Sequence, residues 1–125
     1  QLFLCDWFRM VSDVYSDIFE QPEDHAGEME TSIALAYFPY LVGVDPDGNL
    51  RADAGETRAT RFEAVNRGWV QITRRWDLLT TETGSGNPHA ATAEKGRQVM
   101  NVIVKRLADF LIELDHAVID DRFPF

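Results

Sequence analysis

Cysteine is almost absent from this chain. The single thiol, Cys5, cannot form an intramolecular disulfide; this fits a reducing compartment or an inert buried thiol, and the cytoplasm is the expected location. Long apolar runs are missing too. None approaches the roughly 18 residues of a membrane span, and the first residues lack the basic-then-apolar plan of a signal peptide, so no membrane partner is expected. Positive charge is scarce: 12 Lys and Arg face 21 Asp and Glu, for a net charge of −9. Such a surface repels a polyanion, and nucleic acid is excluded as a general partner. There is no internal repeat, low-complexity tract or linker.

Several catalytic signatures are also lacking. No Gly-x-Ser-x-Gly elbow supports Ser-His-Asp chemistry, and Cys5 is a poor nucleophile in so apolar a setting. The segment "TGSGNP" has neither the Gly-Lys-Ser/Thr of a P-loop nor a third glycine, since His89 follows Pro88 at that place. A tight turn feeding a helix is the simpler reading of it.

What remains is the composition of one folded domain: 125 residues, 45% apolar and 11% aromatic. Residues 2 to 10, "LFLCDWFRM", are nearly continuously apolar, the pattern of a strand buried on both faces of a mainly parallel sheet. The segment "VSDVYSDIFEQPED" predicts a short helix ended by Pro22. From Gly27 the apolar positions Met29, Ile33, Ala36, Tyr37 and Tyr40 recur at helical spacing, and Pro39 marks the helix end. "VGVDPDGNLRADAGE" is loop chemistry. Alternation of Trp69, Gln71 and Thr73 with Val70, Ile72 and Arg74 predicts a half-exposed strand. Thr92 is a candidate N-cap with Glu94 in the first turn. Behind it Val99, Met100, Ile103, Leu107, Phe110, Leu111 and Leu114 form the stripe of a long helix. The alternation of strand and helix predicts an α/β fold.

Six of the ten arginines lie between Arg51 and Arg75. They form either a solvated or subunit-contacting face, or an anion-binding module in which forked guanidinium groups at Arg58, Arg61, Arg74 or Arg75 hold carboxylate or phosphate. The other concentration of chemistry is "EDHAGEMETS", with Glu23, Asp24, His25, Glu28 and Glu30. One reading is purely structural: Asp24 or a neighbour caps the helix, and Glu28 and Glu30 favour its positive end. The other is functional. Glu28 and Glu30 are two residues apart, roughly 200° around a helix, so they face different ways. A histidine at a helix N-terminus near carboxylates can shuttle protons near neutral pH, and a neighbouring Glu can ligate a metal or orient the imidazole.

"HAGEMETS", His25 to Ser32, resembles the His-Ala/Gly-Gly-x-x-Glu-Thr-Ser motif of the creatininase family, metal-dependent amidohydrolases that include creatinine amidohydrolase. "TGSGNPHAATAEKG" is similar to that family's glycine-rich segment before the last helix. The resemblance covers most of the chain but about half of the family's domain. With a chain that opens on Gln1 rather than Met, it implies that residues 1–125 are the C-terminal half of a single creatininase-like domain, the N-terminal metal-ligand half being absent.

The resemblance implies part of a three-layer α/β/α sandwich with a mainly parallel sheet. It further implies two divalent ions, zinc or manganese, ligated mostly outside this chain, and hydrolysis of a non-peptide C–N bond in a small cyclic or linear amide. His25 matches the histidine that protonates the departing nitrogen, and Glu30 matches the motif's glutamate. Glu28 stands where creatinine-hydrolysing members are apolar, and is expected to approach the metal pair. A homo-oligomer, a hexamer by family resemblance, is expected. The alternative is a non-catalytic structural or oligomerisation portion, and the fragment alone is expected to be inactive. Two departures make creatinine itself a doubtful substrate: Asn87 replaces the aspartate before Pro88, and Gln21 and Pro22 replace the aromatic residue that precedes the histidine.

Overall fold

The computed structural model describes residues 2–22, 24–73 and 75–125. Gln1, Glu23 and Arg74 lie outside the described residues, and with them the expectations for the Glu23 carboxylate and for Arg74 as an anion ligand or strand residue.

Two helices organise the molecule. α2, Glu28–Tyr37, starts after Gly27, whose backbone is extended and which offers no side-chain cap; Glu28 and Glu30 in the first turn favour the positive end of the helix. It stops where proline dictates: Pro39 lacks an N–H and keeps Phe38 out of the helical region, at φ −137° and ψ 49°. A 3-10 turn, Pro39–Leu41, follows. α5, Ala93–His116, is capped as its sequence predicts, with Thr92 Oγ1 accepting a hydrogen bond from Lys95 N at 3.2 Å. The smaller elements are a 3-10 turn at Arg9–Val11 and the one-turn helices α1 (Tyr15–Ile18), α3 (Glu63–Asn66) and α4 (Trp76–Leu79).

The core lies where α2 crosses α5. Met29 from α2 meets Val99 and Ile103 from α5, with Val11 and Phe19 closing the cluster and Trp7, Phe8, Ile33 and Met100 packed around it. Contact is close because position 96 is glycine: a Cβ there would stand 2.1 Å from the Ser32 carbonyl oxygen. An N-terminal clamp adds to the packing. Arg106 forks onto Asp13, with Nη1 to Oδ1 at 2.5 Å and Nη2 to Oδ2 at 2.9 Å, and also donates to the Met10 carbonyl. The apolar stripe of α5 is used unevenly. Val99 and Ile103 are buried, whereas Leu111 is exposed.

The expected α/β architecture, a three-layer sandwich with a mainly parallel sheet, is corrected by the structure. Among the described residues there is no strand, only the isolated antiparallel bridges Val44 to Leu50 and Thr57 to Thr80. A strand exists through a row of backbone hydrogen bonds to a neighbour. In the run expected to be a buried strand those bonds are local instead: Arg9 N donates to Asp6 O, and Met10 N to Trp7 O. Leu2 and Leu4 are 94% and 93% exposed, and Cys5 is exposed too, not buried. The second expected strand fails for the same reason. Trp69 N and Val70 N both donate to the Ala64 carbonyl, which closes the turn after α3 and leaves Trp69 exposed.

Candidate functional site

The two chemical motifs lie about sixty residues apart in sequence and form one unit in space. Ser85 N and Gly86 N donate to the His25 carbonyl at 3.0 and 2.8 Å. Ser85 Oγ donates to Asp24 Oδ1 at 2.6 Å, and the same oxygen accepts from His25 N at 2.8 Å. Further along, Thr92 N donates to the buried Ser32 hydroxyl. Gly86 allows this docking, because a Cβ there would stand 2.5 Å from Gly27 Cα. Asp24 therefore does not cap α2. It ties the histidine loop to the glycine-rich turn.

His25 is presented outward from this knot. Its Nδ1 is 3.6 Å from Glu30 Oε2, with the imidazole 57% and the carboxylate 35% exposed. The same Glu30 oxygen accepts a hydrogen bond from Ala26 N at 2.6 Å. Ala26 has φ 57°, a left-handed conformation that costs a non-glycine residue roughly 1–2 kcal/mol. Glu30 thus does two things at once: it holds a strained turn and sets a negative charge beside the imidazole. A shallow cavity of about 220 Å³ opens at this point, lined by Phe8, Asp24, His25 and Glu30. A larger one of about 540 Å³ lies across Glu30, lined also by Arg51, Asp53 and Glu82.

Glu28 faces the other way, as a two-residue spacing on a helix requires. It is fully buried. Oε2 accepts from Glu20 N at 2.8 Å and Gln21 N at 2.7 Å, while Oε1 pairs with Lys95 Nζ. The ammonium also binds Glu20 Oε1 and the Ala90 carbonyl, each at 2.9 Å. Burial works against the Lys95 charge, but hydrogen bonds to Glu28 and Glu20 outweigh it and hold its pKa above the usual lysine value.

These contacts bear on the expected metal pair. Both Glu28 oxygens are bonded to donors of this chain, and among the described residues no three His, Cys, Asp or Glu side chains converge to hold an ion. The described residues do not fit a metal centre by themselves. The chain's own chemistry at this site is that of the His25 and Glu30 pair.

Two neighbours of the site carry no local sequence signal. Trp76, the first residue of α4, sets its indole against the His25 ring, with centroids 5.2 Å apart and an interplanar angle of 81°. No aromatic residue precedes His25 closely in sequence; α4 brings one from fifty residues later. Asn87 and Gln21, both departures from the family pattern, meet each other, with Asn87 Nδ2 donating to Gln21 Oε1 at 3.3 Å. Two arginines of the arginine-rich segment are held in ion pairs. Arg75 forks onto Asp77, and Arg67 binds Glu63 and lies over Trp69. His89 lies in the glycine-rich segment and His116 ends α5.

A histidine here faces a carboxylate, and its loop is tied to the glycine-rich turn that precedes a capped helix. The chain belongs to the creatininase family: the model described as Creatininase, creatinine amidohydrolase, matches residues 2–111. Among solved structures it is similar to the putative creatinine amidohydrolase from Bacteroides fragilis NCTC 9343, at 35% identity and a TM-score of 0.76. That likeness covers 94% of this chain and 44% of the Bacteroides chain, so the residues here span less than half of that protein's length. No curated protein sequence gives a match. Among the described residues no helix is long and apolar enough to cross a membrane.

Proposed function

We propose that this chain carries the proton-transfer edge of an amidohydrolase that cleaves a non-peptide C–N bond in a small cyclic or linear amide. His25 is the proton shuttle, and Glu30 is the carboxylate that orients it. The observation that carries this reading is the exposed imidazole 3.6 Å from Glu30, on a loop fixed at both its carbonyl and its amide. An imidazole carries a transferable proton on a ring nitrogen, and a carboxylate beside one nitrogen can orient the ring so that the proton is delivered to a departing nitrogen. Divalent-metal dependence, with zinc or manganese, is what the family resemblance implies, with ligands mostly outside this chain. The test is His25→Ala in the intact protein against a panel of small amides. Loss of about a hundredfold or more in kcat with the fold unchanged is expected; full activity in the variant refutes the assignment.

A second reading is supported by the surface. Leu2, Leu4, Tyr40, Leu41, Trp69, Val118 and Ile119 are each at least 70% exposed. This portion also builds contacts, with the rest of a longer chain or with further subunits of a homo-oligomer.

A further inference from the structure

We propose that Trp76 is a positioning residue of this site, holding the His25 imidazole in its working orientation. The inference rests on the reading of His25 as the proton shuttle. The imidazole is 57% exposed, and Glu30 approaches it at one nitrogen only. An exposed side chain with one contact of 3.6 Å remains free to turn about its side-chain bonds, and a proton shuttle has to deliver along a fixed line. The indole removes that freedom by standing edge-to-face against the ring at 5.2 Å.

Trp76 can do this because it is itself fixed. Its Nε1 donates to the Thr83 carbonyl at 3.0 Å, and its own carbonyl accepts from Thr80 N at 3.1 Å and Thr80 Oγ1 at 3.0 Å. Behind it, buried Leu79 anchors α4, and Arg58 N donates to the Leu79 carbonyl. The segment that holds the indole through Thr83 continues directly to Ser85 and Gly86, which hold the His25 carbonyl. Both rings therefore hang from one short stretch of backbone, and their relative placement is set by it.

The experiment uses the intact protein with Trp76→Ala and Trp76→Phe, read by kinetics on the amide substrate and by the NMR resonances of the histidine rings. In Trp76→Ala, kcat falls about tenfold to a hundredfold while KM stays within about threefold, and the phenylalanine variant recovers most of the loss. The His25 Cε1–H resonance moves in Trp76→Ala, whereas those of His89 and His116 stay in place. Unchanged kcat with an unmoved His25 resonance overturns the proposal. So does a loss of activity that tracks a lowered melting temperature and is not recovered by phenylalanine. The resonance is independent of any activity: if His25→Ala remains fully active, the functional reading fails, while the resonance still decides whether Trp76 positions the ring.

Discussion

Lys95, in the first turn of α5, closes the carboxylate of Glu28, the first residue of α2, inside the molecule. The pair joins the two helices at their N-terminal ends, 67 residues apart in sequence, and the other Glu28 oxygen gathers the backbone of Glu20 and Gln21. Loss of Lys95 leaves a fully buried carboxylate with two backbone amides and no opposite charge. Lys95→Met is expected to destabilise the protein by about 3–5 kcal/mol. The double variant Glu28→Met with Lys95→Met is expected to be less damaged than the sum of the singles, by about 0.5–3 kcal/mol of coupling. Urea unfolding of the four proteins measures it, and strict additivity would show that the pair is not coupled.

Gly96 sets how close those helices come. A methyl group there meets the Ser32 carbonyl oxygen at 2.1 Å, a backbone atom that moves only with α2. Gly96→Ala should cost about 1–3 kcal/mol, although alanine is the better helix former. A thermal melt showing alanine neutral or stabilising would mean that α2 and α5 can separate freely.

The long helices were legible in the sequence because their evidence is local. Met29 and Ile33 repeat at helical spacing, Thr92 stands three residues before the N–H it caps, and Pro39 ends α2 by its own geometry. The strands were misread because apolar content reports burial, not which backbone groups pair. Trp7 and Phe8 are apolar enough for a strand, and they pack against the helical core from a turn instead. In the site, His25 and Glu30 were legible as near neighbours on one motif. Lys95 against Glu28 and Trp76 against His25 were not, since each depends on how distant segments cross.

The charges that join the segments give stability a dependence on pH with a definite sign. The hydrogen bonds from Arg106 hold the Asp13 carboxyl below its ordinary value. Its contribution is therefore present above the unfolded carboxyl value of about 3.9 and is lost as pH falls through the folded value. Lys95 is raised, so its contribution is present below the unfolded lysine value of about 10.4 and is lost as pH rises through the folded one. These two contributions should be level between these limits and fall away outside them. Denaturant midpoints across pH for the native protein, Asp13→Asn and Lys95→Met check this: the first variant flattens the acid limb, the second the alkaline one.

Glu30 can be separated into its two jobs. Glutamine keeps an oxygen that accepts from Ala26 N but removes the charge beside His25, whereas alanine removes both. Glu30→Gln is expected to stay within about 1 kcal/mol of native stability, and Glu30→Ala to lose about 1–3 kcal/mol as the turn amide loses its partner. If the charge serves proton transfer, the glutamine variant of the intact protein loses about tenfold or more in amide hydrolysis despite its intact fold. Full activity in Glu30→Gln would confine Glu30 to the turn.

Ala26 records what that turn costs. Its φ of 57° lies in the left-handed region, where the Cβ crowds the following carbonyl by roughly 1–2 kcal/mol. Glycine removes that penalty but adds freedom to the unfolded chain, worth about 0.4–1 kcal/mol the other way. Ala26→Gly should therefore be neutral or stabilising by up to about 1 kcal/mol, the opposite of what glycine does in most ordered positions. Ala26→Val has a β-branched side chain in the same backbone and is expected to destabilise by more than 1 kcal/mol. The ordering Gly, Ala, Val in melting temperature tests the strain directly. A turn in which valine matched alanine would not be left-handed at this position, and the grip of Glu30 on the Ala26 amide would then have no strain to hold.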